Sequence, residues 1–342
     1  MKVLIMGAGS VGQVFGYHLQ LAGAEVSFYV RPKYVAECEA GFVLYDHGRL
    51  GLAAPLRFKA EAVLSTLEEL ERTSFDQVYL CIPSNGLRGG WFGDFAARLG
   101  DAVLVSLCNG MDDRDFIAEH FDVARTVTGL ITQISYPAPL PGEDVLEPGT
   151  AYWFPPLAPH PFEGPKEHVE AAVKWLKKGG LPSKVAHGLS EKSTYPSVVL
   201  MTFIMGLEAA DWSFAQVRSA ANMKRIHGAR REGLAMVSGH QKTTTPLALR
   251  LLNPMIMRMV LFLATQLIPF DLETYLRVHF TKVGAQTRMY VKNWIATSQE
   301  LGLPSKHLEE LGQALGPQLV ASELIDSKAK ADSILSASSG KA

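Results

Sequence analysis

The sequence has few cysteines, almost no excess of charge, and no apolar run long enough to cross a bilayer. Only three cysteines occur, Cys38, Cys81 and Cys108, and they are far apart in the chain. Their number and spacing exclude a disulfide framework and a zinc site, and favour free thiols in a reducing compartment. The formal net charge is -1, so no global field attracts nucleic acid or an anionic membrane.

The most apolar stretch of the later chain is residues 259–270, with Arg258 beside it. It is too short to span a bilayer, and it fits a buried helix or a contact between subunits in a homodimer. Lys2 is followed by a short apolar run and glycines, not by the long apolar region and cleavage site of a signal peptide. We therefore expect a cytoplasmic protein without nucleic-acid or membrane partners.

The chain has 342 residues, of which 47% are hydrophobic, enough for two cores. In the first half, apolar runs of strand length alternate with helical patterns, which predicts a doubly wound α/β domain with a parallel sheet that continues through residues 126–135. We predict a Rossmann-type domain at 1–187 and an all-α domain at 188–342, with a loose tail from about residue 323. Helices are predicted at 190–212, 216–240, 246–268, 271–301 and 306–316.

A glycine motif lies directly after the first predicted strand and opens the first predicted helix. Gly7 permits a tight turn, Gly9 lets the backbone approach a pyrophosphate, and Gly12 lets the helix pack on the strand. The free N–H groups around Ser10 and Val11, at the positive end of the helix dipole, favour that pyrophosphate. The motif in this context predicts a dinucleotide-binding site.

The end of the second predicted strand carries cations where an enzyme that uses NAD usually has a carboxylate for the ribose hydroxyl. Here the residues are Arg31 and Lys33. The planar fork of an arginine suits a 2′-phosphate, and the lysine adds charge. We therefore predict NADP(H) as the cofactor.

At this point the chain resembles the ketopantoate reductase family. The segments that carry the resemblance are Met-Gly-Ala-Gly-Ser-Val-Gly at 6–12, Arg31, Ala-Glu-Cys-Glu-Ala-Gly-Phe at 36–42, Ser-Leu-Cys-Asn-Gly-Met at 106–111, Val-Thr-Gly at 127–129 and Leu-Gly-Leu-Pro at 301–304. The similarity is close over residues 1–135 and thinner after that. It implies NADPH-dependent reduction of a 2-oxo acid, 2-dehydropantoate to pantoate in pantothenate biosynthesis. It also implies a C-terminal domain like that of 6-phosphogluconate dehydrogenase.

The resemblance also implies roles for three residues. Asn109 matches an Asn beside the nicotinamide and the substrate, and it follows a core strand, where open α/β sheets bind ligands. Lys192 matches the family's general acid, which stabilises the alkoxide and donates its proton. Gln286 falls near the position of a substrate-binding Glu, where it can form hydrogen bonds but cannot act as a carboxylate.

The chain departs from the family's pattern around these residues. Pro196 and Leu200 stand where the family has asparagines, and Pro83 stands where many members have Lys. These replacements, together with the apolar stretch at 255–270, suggest an altered substrate, bulkier or more apolar than ketopantoate. Three isolated histidines lack a carboxylate or a second histidine at a metal spacing, so we assign them neither acid–base nor metal-binding roles; they are His187, His240 and His279.

Two alternatives remain open at this stage. The first is another Rossmann-plus-helical dehydrogenase, of the opine type or acting on 3-hydroxy acids, although the latter group has Asn four residues after its Lys, where Pro196 stands here. The second is a non-catalytic NADPH-binding protein, which the missing Asn and Glu residues would explain. The fold alone does not separate these functions, because the Rossmann domain hosts many of them.

Overall fold

A computed structural model describes residues 1–48 and 51–315; the predicted loose tail lies outside these ranges. The strands are β1 (Lys2–Met6), β2 (Glu25–Tyr29), β3 (Phe42–Gly48), β4 (Gly51–Leu52), β5 (Leu56–Phe58), β6 (Val63–Leu64), β7 (Gln77–Leu80), β8 (Val103–Ser106), β9 (Thr126–Gly129), β10 (Ile134–Ala138), β11 (Gly149–Trp153), β12 (His160–Glu163) and β13 (Ser183–Val185). The α-helices are α1 (Ser10–Leu21), α2 (Val35–Glu39), α3 (Leu67–Glu71), α4 (Ser84–Leu87), α5 (Phe92–Ala96), α6 (Asp113–Ala118), α7 (Lys166–Lys178), α8 (Leu189–Glu208), α9 (Phe214–Val217), α10 (Ala220–Gln241), α11 (Leu247–Arg250), α12 (Pro254–Leu267), α13 (Leu272–Lys282), α14 (Gly284–Glu300) and α15 (Lys306–Ala314).

The larger sheet has eight strands in the order β13-β12-β9-β8-β7-β1-β2-β6. Its pairs are parallel, except that β12 runs antiparallel to β9. At the centre, Ile5 lies between Phe28 on β2 and Tyr79 on β7, and all three side chains are fully buried. Burial on both faces explains why these strands are continuous apolar runs. This mostly parallel sheet, followed by helices from Leu189 onward, confirms the predicted fold class.

A second sheet of five strands was not predicted. Its order is β10-β11-β3-β4, with β5 paired to β3. The prediction that residues 126–135 continue the first sheet is therefore wrong for their last part, because β9 ends at Gly129 and β10 begins the second sheet at Ile134. The strand β11 runs parallel to β3, with Thr150 opposite Leu44. Pairing between strands so far apart in the chain leaves no local signal in the sequence.

The second sheet lies between α1 and the helices that follow Leu189. On one side, the Thr150 hydroxyl donates to Gln13 on α1 over 2.7 Å, and the Gln13 amide donates to the Ala8 carbonyl over 2.9 Å. On the other side, Tyr45 and Tyr136 belong to a hydrophobic core that the later helices complete, with Ile204, Leu207 and Tyr275 among its members. The sheet thus joins the glycine motif to the helical region, by which we mean α8 to α15.

The helical region differs in detail from the predicted helices. Pro196 lies inside α8, which continues through it. The helix predicted at 271–301 is broken at Val283, whose backbone angles (φ -103°, ψ 20°) separate α13 from α14. The interpretation of residues 259–270 as a buried helix is also wrong, since most apolar side chains of α12 are exposed, Phe262 at 57% and Leu267 at 73% among them.

Within the described ranges, no single helix is long and apolar enough to cross a bilayer. The helices α12 and α13 have that length and composition only when they are taken together, and the chain bends by 102° between them.

His160 is fully buried on β12, and its hydrogen bonds fix a neutral ring. Its Nδ1 lies 2.8 Å from the Pro182 carbonyl and so donates to it, while its Nε2 accepts from the backbone N–H of Gln133 over 3.4 Å. Burial lowers the pKa of His160 to about 4. A proton on Nε2 would place a donor against a donor, which the burial makes costly.

Candidate active site

The glycine motif forms the connection between β1 and α1. Gly7 has φ +95°, and a Cβ there would lie 2.8 Å from a methyl group of Ile82 and 2.9 Å from the Cys81 carbonyl. A Cβ on Gly12 would lie 2.1 Å from the Gly7 carbonyl oxygen. Both glycines are therefore required by the packing of this turn against its own strand and helix.

Gly9 is required by nothing within the chain itself. A Cβ built on it meets no atom within 4 Å, and its φ of -71° is open to any residue. It is the N-cap of α1 and offers no side chain to the first N–H groups, which include those of Ser10 and Val11. The residues Gly7 to Gly12 thus leave bare backbone donors at the positive end of a helix, with room for a pyrophosphate over Gly9.

Arg31 and Lys33 lie just after β2 and are exposed around the ring of Tyr34. The Arg31 guanidinium is 5.1 Å from the ring centroid and donates to the Tyr34 hydroxyl over 3.2 Å. The Lys33 ammonium is 4.8 Å from the same centroid. Two cations and a hydroxyl at the end of the second strand form a group that can accept a phosphate.

Asn109 lies in the loop after β8, and both hydrogens of its amide are used inside the chain. Its Nδ2 donates to the carbonyls of Leu107 and Gly129, over 3.0 and 3.1 Å. These bonds hold the side chain between the ends of β8 and β9. The group that Asn109 can offer a ligand is therefore its Oδ1, an acceptor.

Asn109 lines a cavity of about 130 Å³ between the larger sheet and the helical region. Its polar lining also includes Ser106, Arg114, Asp115, Thr128, Glu191, Ser193, Thr194, His240 and Gln241. Gln241 donates to Thr194 over 3.2 Å, while its Oε1 is buried and finds no hydrogen-bond partner among the described residues. A larger cavity of about 390 Å³ shares Arg114 and Thr128 with it. The position of His240 beside Asn109 has no local signal in the sequence, because it depends on where α10 ends in space.

Lys192 lies on the first turn of α8, but it is not one of the residues that line this cavity. Its side chain is exposed, and its ammonium donates to the carbonyl of His187 over 3.0 Å. The neighbours of Lys192 on either side, Glu191 and Ser193, do line the cavity. Asn109 and Lys192 are thus near each other along the cleft, but their functional groups do not meet in this structure.

Pro196 and Leu200 are exposed on α8, and Leu200 is 52% accessible. They do not line the cavity beside Asn109, whose lining is mostly polar. The suggestion of a bulkier or more apolar substrate was drawn from these two residues and from the apolar stretch at 255–270. It finds no support in their positions, since none of them lines this cavity.

Gln286 lies on α14 and contacts the segment that follows β7, not the cavity beside Asn109. Its Oε1 accepts from the Ser84 amide over 3.3 Å, and its Nε2 donates to the Tyr290 hydroxyl over 2.9 Å. The Tyr290 hydroxyl is 2.8 Å from Ser84 Oγ, which donates in turn to the buried carboxylate of Asp113. Sequence reasoning missed this group, because its members come from three distant segments.

Comparison with known proteins supports the family resemblance. The family model described as ketopantoate reductase PanE/ApbA matches residues 3–153. No curated protein matches the sequence significantly. Among solved structures, a PanE/ApbA family ketopantoate reductase from Ralstonia eutropha JMP134 is 18% identical, with a TM-score of 0.69 over 92% of this chain and 97% of that one.

Two further structures have the same fold. The 2-dehydropantoate 2-reductase from Geobacter metallireducens GS-15 is 16% identical, with a TM-score of 0.66 over 92% of this chain and 99% of that one. D-mandelate dehydrogenase, in a ternary structure with NADH and anilino(oxo)acetate, is 14% identical, with a TM-score of 0.67 over 92% and 97%. Residues 3–153 thus match the ketopantoate reductase family model, and the described chain as a whole has the fold of these ketopantoate reductase structures.

Proposed function

We propose that the protein is an NADP(H)-dependent reductase that converts a 2-oxo acid to the 2-hydroxy acid, in the manner of ketopantoate reductases. The observation that carries the proposal is the open backbone at Gly9, which a side chain could fill without touching the protein. A ligand that approaches this backbone gives a reason for glycine there beyond its role as the N-cap of α1. A bound nicotinamide supplies the hydride, and the residues of the chain bind and orient the two reactants and supply the proton.

The choice of NADPH over NADH rests on Arg31 and Lys33. Their two charges and the Tyr34 hydroxyl follow the second strand, where Rossmann folds contact the 2′ position of the adenosine ribose. D-mandelate dehydrogenase of the same fold was solved with NADH, so the fold by itself does not select NADPH, and the choice rests on the residues at this strand end. A 2′-phosphate would gain charge-assisted hydrogen bonds here that a 2′-hydroxyl would not.

Two residues are candidates for the proton donor. Lys192 is the one that the family resemblance indicates, and its ammonium must turn away from the His187 carbonyl to reach the cavity. His240 already lines the cavity together with Asn109. Either group can donate to the alkoxide that forms when hydride reaches the keto carbon.

Two hydrogen-bond acceptors in the lining of the cavity favour a substrate that carries a donor. The acceptors at Asn109 Oδ1 and Gln241 Oε1 suit a substrate that carries a hydroxyl group, as ketopantoate does. An aromatic 2-oxo acid, the counterpart of the mandelate dehydrogenase substrate, would leave these acceptors buried and without donors, which costs binding energy.

The test is the oxidation of NADPH with ketopantoate and phenylglyoxylate as separate substrates, in wild type, Lys192→Ala and His240→Asn. We expect turnover of ketopantoate by the wild type and a loss of about 100-fold or more in the variant that lacks the proton donor. NADPH binding without turnover of any 2-oxo acid would refute the reductase and leave a non-catalytic NADPH-binding protein. Turnover only when an amine is added would indicate an opine-type enzyme instead.

The homodimer predicted from the sequence is part of this proposal. The exposed apolar side chains of α12, which include Met255 at 74% and Phe262 at 57%, form the kind of surface that partners cover. A second copy could bury it by pairing the two α12 helices about a twofold axis.

A further inference from the structure

A buried polar cluster links the loop that carries Asn109 to the helical region. We name it the Asp113 cluster, and its members are Ser84, Arg88, Asp113, Gln286 and Tyr290. Ser84 begins α4, the helix that follows β7. Asp113 follows the Asn109 loop after β8, and Gln286 and Tyr290 lie on α14. The ends of β7 and β8 are adjacent in the larger sheet, at the edge where a doubly wound fold binds its ligands.

Asp113 is the centre of the cluster and is fully buried. Its Oδ2 accepts from the Gly110 amide over 2.6 Å and from the Ser84 hydroxyl over 2.5 Å, and its Oδ1 accepts from Arg88 over 2.6 Å. The guanidinium compensates the buried charge, which would otherwise be costly. A Cβ on Gly110 would lie 2.8 Å from this carboxylate, so only a glycine fits beside it.

The hydrogen bonds of the cluster have one consistent direction. A carboxylate only accepts, so the Ser84 hydroxyl donates to Asp113, and the Tyr290 hydroxyl must then donate to Ser84. The Tyr290 oxygen accepts in turn from Gln286 Nε2. The atom of the Gln286 amide that faces the Ser84 N–H must be the oxygen, because that N–H can only donate a hydrogen bond.

This direction gives a reason for Gln at position 286. Its amide forms a closed ring of three hydrogen bonds with Ser84 and Tyr290, and each of the three bonds has one hydrogen to share. An ionised Glu would bring no hydrogen, and the Tyr290 hydroxyl could not donate to Glu and to Ser84 at the same time. A protonated Glu would restore the missing hydrogen.

We propose that Asp113, Ser84 and Tyr290 are positioning residues, which hold the Asn109–Gly110 loop in place relative to α14. Asp113 fixes the loop through the Gly110 amide, and Ser84 and Tyr290 transmit that position to the helical region. A second bond between the same elements, from Asn293 on α14 to Asp112 over 3.3 Å, has the same effect. The consequence for catalysis rests on the proposed reductase function. The cluster keeps Asn109 Oδ1 at a fixed position relative to the residues of α8 and α10 that form the opposite wall of the cavity.

The test uses Tyr290→Phe and Gln286→Glu, with Tyr195→Phe as the matched control. Tyr290→Phe removes the linking hydroxyl but keeps the ring that stacks on Trp294. Tyr195 lies in the same hydrophobic core and is similarly buried, but among the described residues its hydroxyl bonds to Ser238 and Thr243 and not to the Asp113 cluster. The control therefore measures the general cost of losing a buried tyrosine hydroxyl in this core.

Hydrogen exchange of peptides that cover residues 107–113 is the first measurement, because it does not depend on turnover. We expect exchange about fivefold faster in Tyr290→Phe, the effect of one net hydrogen bond on a local opening equilibrium. Gln286→Glu should match it at about pH 8 and return towards the wild-type rate at about pH 5, where the carboxyl takes up its proton. Wild-type exchange in Tyr290→Phe, or the same acceleration in Tyr195→Phe, would overturn the proposal.

The second measurement is kinetic. We expect kcat in Tyr290→Phe to fall about tenfold, because a small displacement of Asn109 misaligns the reactants, while the affinity for NADPH stays unchanged. A loss in NADPH affinity with normal kcat would contradict this positioning role. If the wild type turns over no 2-oxo acid, the proposed function fails, whereas the exchange experiment still decides whether the cluster holds the loop.

Discussion

The substitution Gly9→Ala separates the stability of the fold from the binding of the cofactor. The Cβ that it adds meets no protein atom within 4 Å, and the backbone at this residue already has angles that alanine adopts. Alanine loses less freedom than glycine on folding, which stabilises by about 0.4–1 kcal/mol. It is a poorer N-cap than glycine, which costs roughly 0.5–1 kcal/mol. The two effects offset each other, so the free energy of unfolding should change by no more than about 0.5 kcal/mol.

The same methyl group stands where a pyrophosphate would contact the start of α1. We expect the affinity for NADPH to fall on the order of 100-fold, the equivalent of about two charge-assisted hydrogen bonds at about 1.5 kcal/mol each. Gly12→Ala is the contrasting variant. Its Cβ would lie 2.1 Å from the Gly7 oxygen, so it should destabilise the fold itself by about 3 kcal/mol.

The measurements are thermal unfolding followed by circular dichroism, and titration of NADPH fluorescence. Gly9→Ala should unfold within about 2 °C of the wild type. The reasoning is refuted if this variant binds NADPH as tightly as the wild type, because the cofactor would then not approach the backbone at Gly9. A large loss of stability in Gly9→Ala would equally contradict the open space above that residue.

Three further predictions concern other parts of the chain. Replacing Arg31 and Lys33 by Ala should weaken NADPH binding about tenfold or more and leave NADH binding unchanged, as fluorescence titration with both cofactors will measure. Burial holds the folded pKa of His160 at about 4, below the ordinary 6.5, so the stability that its neutral ring contributes is complete above about pH 6.5 and lost as the pH falls towards 4. Urea unfolding across this window should show a weaker acid dependence in His160→Gln, and equal dependence would show that His160 does not titrate as described. Phe262→Glu on α12 should convert a dimer to a monomer in light scattering after gel filtration, and a monomeric wild type would exclude the dimer.

The sequence predicts best where function and local geometry coincide. The strand, the three glycines and the helix of the first 21 residues form one contiguous unit, so the pattern contains nearly all of its structural information. The pairing of β3 with β11 cannot be predicted in this way. Each strand has a clear local pattern, but neither pattern identifies the partner strand. The start of β10, at Ile134, was therefore assigned to the first sheet.

The cavity was harder to predict than the glycine motif for a similar reason. Asn109 could be placed at the end of a strand from its position alone. The approach of His240, Gln241 and Thr194 depends on how α8 and α10 pack, which the periodicity of either helix does not reveal. The break at Val283 also had no proline or long glycine run to mark it, and it changes the direction of the chain before Gln286.

The second sheet has a consequence for the order in which the protein is synthesised and folds. Gln13, at the edge of the glycine motif, is held by Thr150, and β3 pairs with β11 only after the whole stretch from β6 to β10 has been made. During synthesis β3 therefore emerges long before its parallel partner, and such distant pairings form slowly. A nascent chain released before residue 149 would lack β11. It would expose the face of α1 that β11 covers and an unpaired edge of β3, and an unpaired strand edge favours aggregation. The proposed cofactor site is thus completed by a strand that the ribosome adds more than a hundred residues after the glycines, as the pairing of Leu44 with Thr150 requires.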